Sequence, residues 1–222
     1  MNTMKIRPSE VAFDIDGVLA DTMSLFIDIA EREFGVNDLR YEDVTEYDID
    51  QLGGIDRTLS LEIIHRILNG SHDAPLEPLM GATDVLRRLN RCHRPTLFVT
   101  ARPNADQIFG WILNVLSLNA DDIEVVATGS FEDKKDVLLD KKVAYFVEDR
   151  LETCFLLNDV GIKPIVFIIF SFPPWKSPFP NLTARDGSTA PVNGHYYSFP
   201  RIALAIIMNG YPKTLAFKNA PC

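Results

Sequence analysis

Val11-Ala12-Phe13-Asp14-Ile15-Asp16-Gly17-Val18-Leu19-Ala20-Asp21 is the stretch that decides how this chain is read. Its apolar start predicts a short buried strand over Val11–Phe13, and a glycine then turns the chain. Asp14 and Asp16 stand two residues apart, a spacing that sends both side chains to the same side of an extended segment. Acidic groups at the end of a buried strand lie at the carboxyl edge of a sheet, where open α/β folds build their sites. Two carboxylates that close repel each other unless a cation or a shared proton intervenes. The stretch therefore asks for a metal ion, a proton-transfer role, or both.

Working outward, strand-like and helix-like segments alternate. Thr22 to Phe34 predicts an amphipathic helix with Met23, Phe26, Ile29, Ala30 and Phe34 on one stripe and Gly35 as its stop. Arg57 to Leu68 predicts a second helix, and Pro75–Gly81 reads as a linker. Further helices are predicted at Ala82–Leu89, Pro103–Leu116 (with proline at the favoured first position), Asp133–Leu139 and Leu151–Val160. Strands are predicted at Thr96–Thr100, Ile123–Ala127, Val143–Val147 and Ile165–Phe170. Ser171 to Ser198, rich in proline, reads as a long loop, and Arg201 to Met208 as a last helix. The pattern implies βαβ units: an α/β, Rossmann-like three-layer core with a parallel sheet. The expected division is a core of residues 1–21 and 81–222, with a small helical insertion over 22–80.

The 222 residues, 46% apolar and 24% charged, have the composition of a soluble globular protein. A net charge of −9 argues against nucleic-acid polymers and anionic membranes as partners. A small phosphorylated substrate stays compatible, because one local cation inverts the field at a site. Cys92, Cys154 and Cys222 form no C-x-x-C pair and are odd in number, which points away from a disulfide framework and towards a reducing, cytoplasmic setting. Met1 to Glu10 lacks the apolar run of a signal peptide, and Pro164–Phe172 is too short to span a bilayer. The oligomeric state is left open by the sequence. None of His65, His72, His93 and His195 has metal-ligand spacing.

If the strands are parallel, several reactive groups collect along one sheet edge. Thr96–Val99 leads into Thr100-Ala101-Arg102-Pro103, and Val143–Val147 leads into Glu148-Asp149-Arg150. Lys134 and Lys135 stand at the start of the preceding helix. A hydroxyl at a helix N-terminus and a lysine are anion-binding groups, while carboxylates from two strand ends suit a hard cation such as Mg²⁺. Asp21 reads as a helix cap, Arg102 as a surface or ion-pairing residue, and Trp111 as core.

Asp14-Ile15-Asp16-Gly17-Val18 resembles the first motif of haloacid dehalogenase-like phosphohydrolases. Val99-Thr100-Ala101-Arg102 resembles their second motif, Lys134 or Lys135 the third, and Glu148-Asp149 the fourth, in the family's order. The Asp16-to-Asp21 run is closest to 5'(3')-deoxyribonucleotidases, although Thr-Ala-Arg departs from the second motif of the vertebrate members. The resemblance implies that Asp14 is the nucleophile that forms an aspartyl-phosphate. It implies that Asp16 is the general acid and then the base, and that Thr100, Ala101 and Lys134 (or Lys135) bind the phosphoryl group. Asp14, the backbone carbonyl of Asp16, Asp149 and Glu148 would hold Mg²⁺, and residues 22–80 would form a cap. The implied function is phosphomonoester hydrolysis, with a (deoxy)nucleoside monophosphate as substrate. A phosphatase or phosphomutase for sugar phosphates is the alternative, and a non-catalytic phosphate-binding protein a further one.

Overall fold

The computed structural model describes residues 6–40, 55–168, 203–208 and 211–214. A single sheet of seven strands runs through it, in the order β3-β2-β1-β4-β5-β6-β7. These are β1 (Val11–Phe13), β2 (Thr96–Thr100), β3 (Ile123–Ala127), β4 (Tyr145–Glu148), β5 (Lys163–Ile168), β6 (Ala203–Met208) and β7 (Tyr211–Thr214). The first five are parallel, and β6 and β7 join antiparallel. The helices are α1 (Thr22–Phe34), α2 (Arg57–Asn69), α3 (Ala82–Cys92), α4 (Asp106–Leu116), α5 (Lys134–Asp140) and α6 (Leu151–Asp159).

The period of two in the strands builds the layers. Val11 and Phe13 of β1, Phe98 of β2, and Tyr145 and Val147 of β4 face a core closed by Leu86 and Leu89 of α3 and Ile108, Ile112 and Leu116 of α4. The alternate residues Ala12, Val99 and Phe146 face the opposite core, closed by Leu138 of α5 and Leu157 of α6. Helices thus cover both faces of a parallel sheet, the α/β Rossmann-like arrangement expected from the alternation.

A third cluster stands apart from both. Leu25, Phe26, Ile29 and Ala30 of α1 pack against Ile63 and Ile67 of α2, with Leu39 and Ala74. Asp21 caps α1 by accepting from the Ser24 N–H, and Asp56 caps α2 by accepting from the Leu59 N–H. Gly35 and Gly70 end the two helices in the left-handed conformation. The chain leaves β1 and returns to α3 side by side: Asp21 N–H donates to the Glu77 carbonyl, and Leu79 N–H to the Leu19 carbonyl. Gln107 of α4 donates to the Asn69 carbonyl, and the Trp111 indole N–H donates to the Leu76 carbonyl at 2.8 Å.

Three expectations need correction. Arg201–Met208 is not a helix: Ala203–Met208 is β6, paired with β5 through Ile165↔Ile206. A short apolar run with adjacent β-branched residues, here Ile206-Ile207, has no periodicity of its own, and the neighbouring edge of β5 decides its conformation. Helix α4 begins at Asp106, not at Pro103. The intervening residues are held as a loop by the Arg102 N–H donating to Thr100 Oγ1 and the Gly129 N–H donating to the Arg102 carbonyl. Cys154 is a free thiol, as the reduced reading expects, and is buried, but Cys92 is disulfide-bonded, which that reading did not provide for. The predicted Ser171–Ser198 loop lies outside the described residues. Among the described residues no helix is long and apolar enough to cross a membrane.

Phe98 is fully buried and packs its ring 6.1 Å from that of Phe13, centroid to centroid. Phe98→Ala is therefore expected to lower unfolding stability by about 3–5 kcal/mol, measured by urea denaturation with an unchanged m-value.

Candidate active site

The strand order reverses direction at β1, with β2 on one side and β4 on the other. Parallel α/β sheets open a crevice at such a point, beyond the carboxyl ends of the strands. The register places Phe13 opposite Val147, so Asp14 and Glu148, the next residues along, emerge side by side. Asp14 N–H donates to the Val147 carbonyl at 2.9 Å and carries the ladder to the strand end.

Lys134, the first residue of α5, reaches into this corner and is completely buried. Its Nζ lies 2.9 Å from Asp14 Oδ2 and 2.9 Å from Glu148 Oε2. Burial alone favours the neutral amine, but the charges of Asp14 and then Glu148 outweigh it and hold the group as an ammonium, its pKa raised. Lys135, on the same helix start, is only half-buried, and Lys134 is the lysine that meets the acids. The Glu148 carboxylate is doubly engaged, because Oε1 also accepts from the Arg150 N–H at 3.1 Å.

Asp14, Glu148 and Asp149 bring carboxylate oxygens within 4.8 Å of one another. Burial first, opposed by Lys134 and reinforced by Glu148 and Asp16, lifts the Asp14 carboxyl well above the usual range. Burial and the charges of Glu148 and Asp14 do the same to Asp149. With all three carboxyl groups ionised, the single ammonium would leave two negative charges uncompensated, which favours the neutral forms of Asp14 and Asp149 without a further cation. Asp14 Oδ1 is buried with no hydrogen-bond partner among the described residues. An all-oxygen donor set with that charge deficit and that free oxygen fits a hard divalent cation. Gly17 makes the corner possible: its φ is +72°, and a Cβ there would come within 1.9 Å of Asp149 Oδ2. Only glycine allows the turn and the carboxylate to approach so closely.

Asp16 follows a different course from its neighbour. It is half-buried, and Arg102 grips it with two bonds, Nε to Oδ2 at 2.9 Å and Nη2 to Oδ1 at 2.7 Å. The Thr22 hydroxyl donates to Oδ1 at 2.7 Å. Burial would raise the Asp16 carboxyl, but the Arg102 guanidinium and the Thr22 hydroxyl outweigh it and hold it below the usual range. The two acids of the opening motif thus lie in opposite environments.

Thr100 ends β2, buried, with its backbone carbonyl accepting from the Thr128 N–H and hydroxyl. Its own Oγ1 accepts from the Arg102 N–H at 3.3 Å, so it caps the Thr100–Arg102 turn rather than a helix. Ala101 lies in that turn, half-buried. The residue that sequence reasoning undervalued is Arg102. It is 5% exposed, and its partner is 86 positions away. The only signal was its place two residues after a strand-end threonine.

The family model for 5' nucleotidase, deoxy (pyrimidine), cytosolic type C protein matches residues 7–117, half of the 222-residue chain. The matched span carries Asp14, Asp16, Thr22 and Arg102. Lys134, Glu148 and Asp149 lie beyond it, and the fold brings them to the same corner. No curated protein matches the chain.

In a calorimetric titration with Mg²⁺, the protein is expected to take up one equivalent. Gly17→Ala, which displaces the Asp149 carboxylate, is expected to weaken that binding about 10–100-fold. Undiminished affinity in Gly17→Ala would show that the cation is held elsewhere.

Proposed function

The chain belongs to the family of cytosolic type C deoxy 5'-nucleotidases, phosphoric monoester hydrolases of the haloacid dehalogenase type, and on that premise we propose that it is a Mg²⁺-dependent nucleotidase using Asp14 as nucleophile. The substrate class is a (deoxy)nucleoside 5'-monophosphate. The observation that carries the proposal is the state of Asp14: one oxygen held 2.9 Å from a buried ammonium, the other without a partner among the described residues.

Asp14, the backbone carbonyl of Asp16 and Asp149 would hold the cation, with Glu148 supporting them while it fixes Lys134. When bound, the divalent ion supplies the positive charge that lets an anionic nucleophile approach an anionic phosphoryl group. Lys134 adds a fixed charge beside Asp14, and Thr100 and Ala101 line the turn on which phosphoryl oxygens would rest. An Asp14 oxygen attacks phosphorus as the bond to the leaving oxygen breaks, and the departing oxygen takes that electron pair. Asp16, in its protonated form, delivers the proton to it and returns to the carboxylate that Arg102 and Thr22 favour. A water molecule then attacks the phosphorus of the aspartyl-phosphate, Asp16 takes back a proton, and Asp14 leaves as the carboxylate. The net change is phosphomonoester plus water to alcohol plus inorganic phosphate.

The α1–α2 unit, with its own apolar cluster and paired connections, is read as the cap over residues 22–80 that shields the site during chemistry. Its position beyond the end of β1 supports a role in choosing the leaving group.

Two outcomes test the proposal. Mg²⁺-dependent release of phosphate from p-nitrophenyl phosphate and from deoxyuridine 5'-monophosphate is expected, and Asp14→Asn should abolish both; a full rate in Asp14→Asn refutes the mechanism. Lys134→Met is expected to lower kcat by a factor on the order of 10²–10³, as when one preorganised charge is lost from a site of this kind. Lys135→Met should stay within about threefold of the parent, as surface changes do.

A further inference from the structure

The carboxylate of Asp16 is held by more donors than an exposed ion pair requires. Arg102 bonds both of its oxygens, and Thr22 adds a second bond to Oδ1. An ionised carboxylate has roughly four lone-pair sites. Among the described residues, Oδ1 has used two and Oδ2 one, so a single acceptor site remains, and it belongs to Oδ2. The two donors come from separate parts of the chain. Thr22 is the first residue of α1, whose N-cap is Asp21, and Arg102 lies in the turn tied down through Thr100 Oγ1 and the Gly129 N–H. The Arg102 side chain is 5% exposed and has no freedom to wander, whereas Asp16 keeps 31% of its side chain open. The buried partner is the anchor, and the open one keeps access to solvent.

We propose that Arg102 and Thr22 are positioning residues that orient Asp16 so that Oδ2 alone exchanges the proton with the leaving oxygen. The proposal rests on the reading of Asp16 as general acid, and it adds which atom acts and what aims it. As the P–O bond breaks, the leaving oxygen receives the bond's electron pair and the proton carried on Oδ2, and Asp16 returns to the carboxylate that the Arg102 fork already grips by both oxygens. A planar guanidinium suits this task because it meets both oxygens at once and resists rotation of the carboxylate, as a lysine ammonium cannot.

A salt bridge that only joins two loops would predict a loss of stability, with every substrate affected alike. Orientation of a general acid predicts a loss that depends on how badly the leaving group needs a proton. Phenyl phosphate and p-nitrophenyl phosphate share a shape and differ in that need. The quantity to compare is kcat/KM, which reports events up to departure of the leaving group and excludes hydrolysis of the aspartyl-phosphate.

For Arg102→Lys we expect kcat/KM to fall about 10²-fold with phenyl phosphate and no more than about tenfold with p-nitrophenyl phosphate. In an Asp16→Asn background the same substitution should cost less than about threefold more, because the oriented group is already gone. Thr22→Val should show a smaller split of the same sign, and Thr22→Ser should recover it; this pair decides the matter if Arg102→Lys does not fold. Equal losses on the two substrates, or an undiminished loss in the Asp16→Asn background, overturn the proposal. Turnover that survives Asp14→Asn would instead refute the nucleotidase mechanism on which it rests.

Discussion

The bonds from Lys134 to Asp14 and Glu148 are the constraint on which the site depends. A fully buried ammonium is tolerable only with anionic partners, since taking the ion out of water costs several kcal/mol. Lys134 has two, one from the end of β1 and one from the end of β4. Removing one partner of such a buried pair is typically destabilising by about 3–5 kcal/mol, so the contact also constrains the fold. It locks the start of α5 against two adjacent strand ends and fixes the separation of the acids. Yet one ammonium does not balance Asp14, Glu148 and Asp149 together. The residual negative charge makes the corner receptive to a divalent ion and hence, once filled, to a phosphoryl group.

Topology converts this local chemistry into a site. The parallel order places β1 between β2 and β4, so three strand ends deliver Asp14, Thr100 and Glu148 to one crevice from positions far apart in sequence. The first carboxylate pair is then divided. Asp14 is turned towards Lys134 and the acidic cluster, and Asp16 towards Arg102 and Thr22. Gly17, directly after Asp16, turns the chain tightly enough for Asp149 to pack against its backbone. The two neighbouring carboxyl groups thus sit in opposite environments: burial lifts Asp14, while Arg102 and Thr22 overcome burial and lower Asp16.

Much of this was legible in the sequence, for reasons that differ along the chain. Strands β1, β2 and β3 and helix α1 fall on their predicted bounds because apolar runs with clear stops, such as Gly35, leave one solution. Strand β4 ends at Glu148 rather than Val147, one residue further, because the ladder to β5 continues through Glu148↔Val166. The Ala203–Met208 run misled because six apolar residues carry no period, and only the edge of β5 tells strand from helix. Pro103 suggested a helix start that the Thr100–Arg102 turn postpones. Among the site residues, the choice between Lys134 and Lys135 needed three dimensions, since adjacent helical residues point about 100° apart. Arg102 was undervalued because its meaning lies in Asp16, on another strand end.

The central claim is that phosphate passes through a covalent bond to Asp14. The most direct test is to quench the enzyme during turnover of p-nitrophenyl phosphate with Mg²⁺, reduce with borohydride, and map the peptides by mass spectrometry. An acyl phosphate is reduced to the alcohol, so the account predicts homoserine at position 14 and unmodified aspartate at position 16. Homoserine at position 16, or steady turnover with no homoserine at position 14, would contradict it.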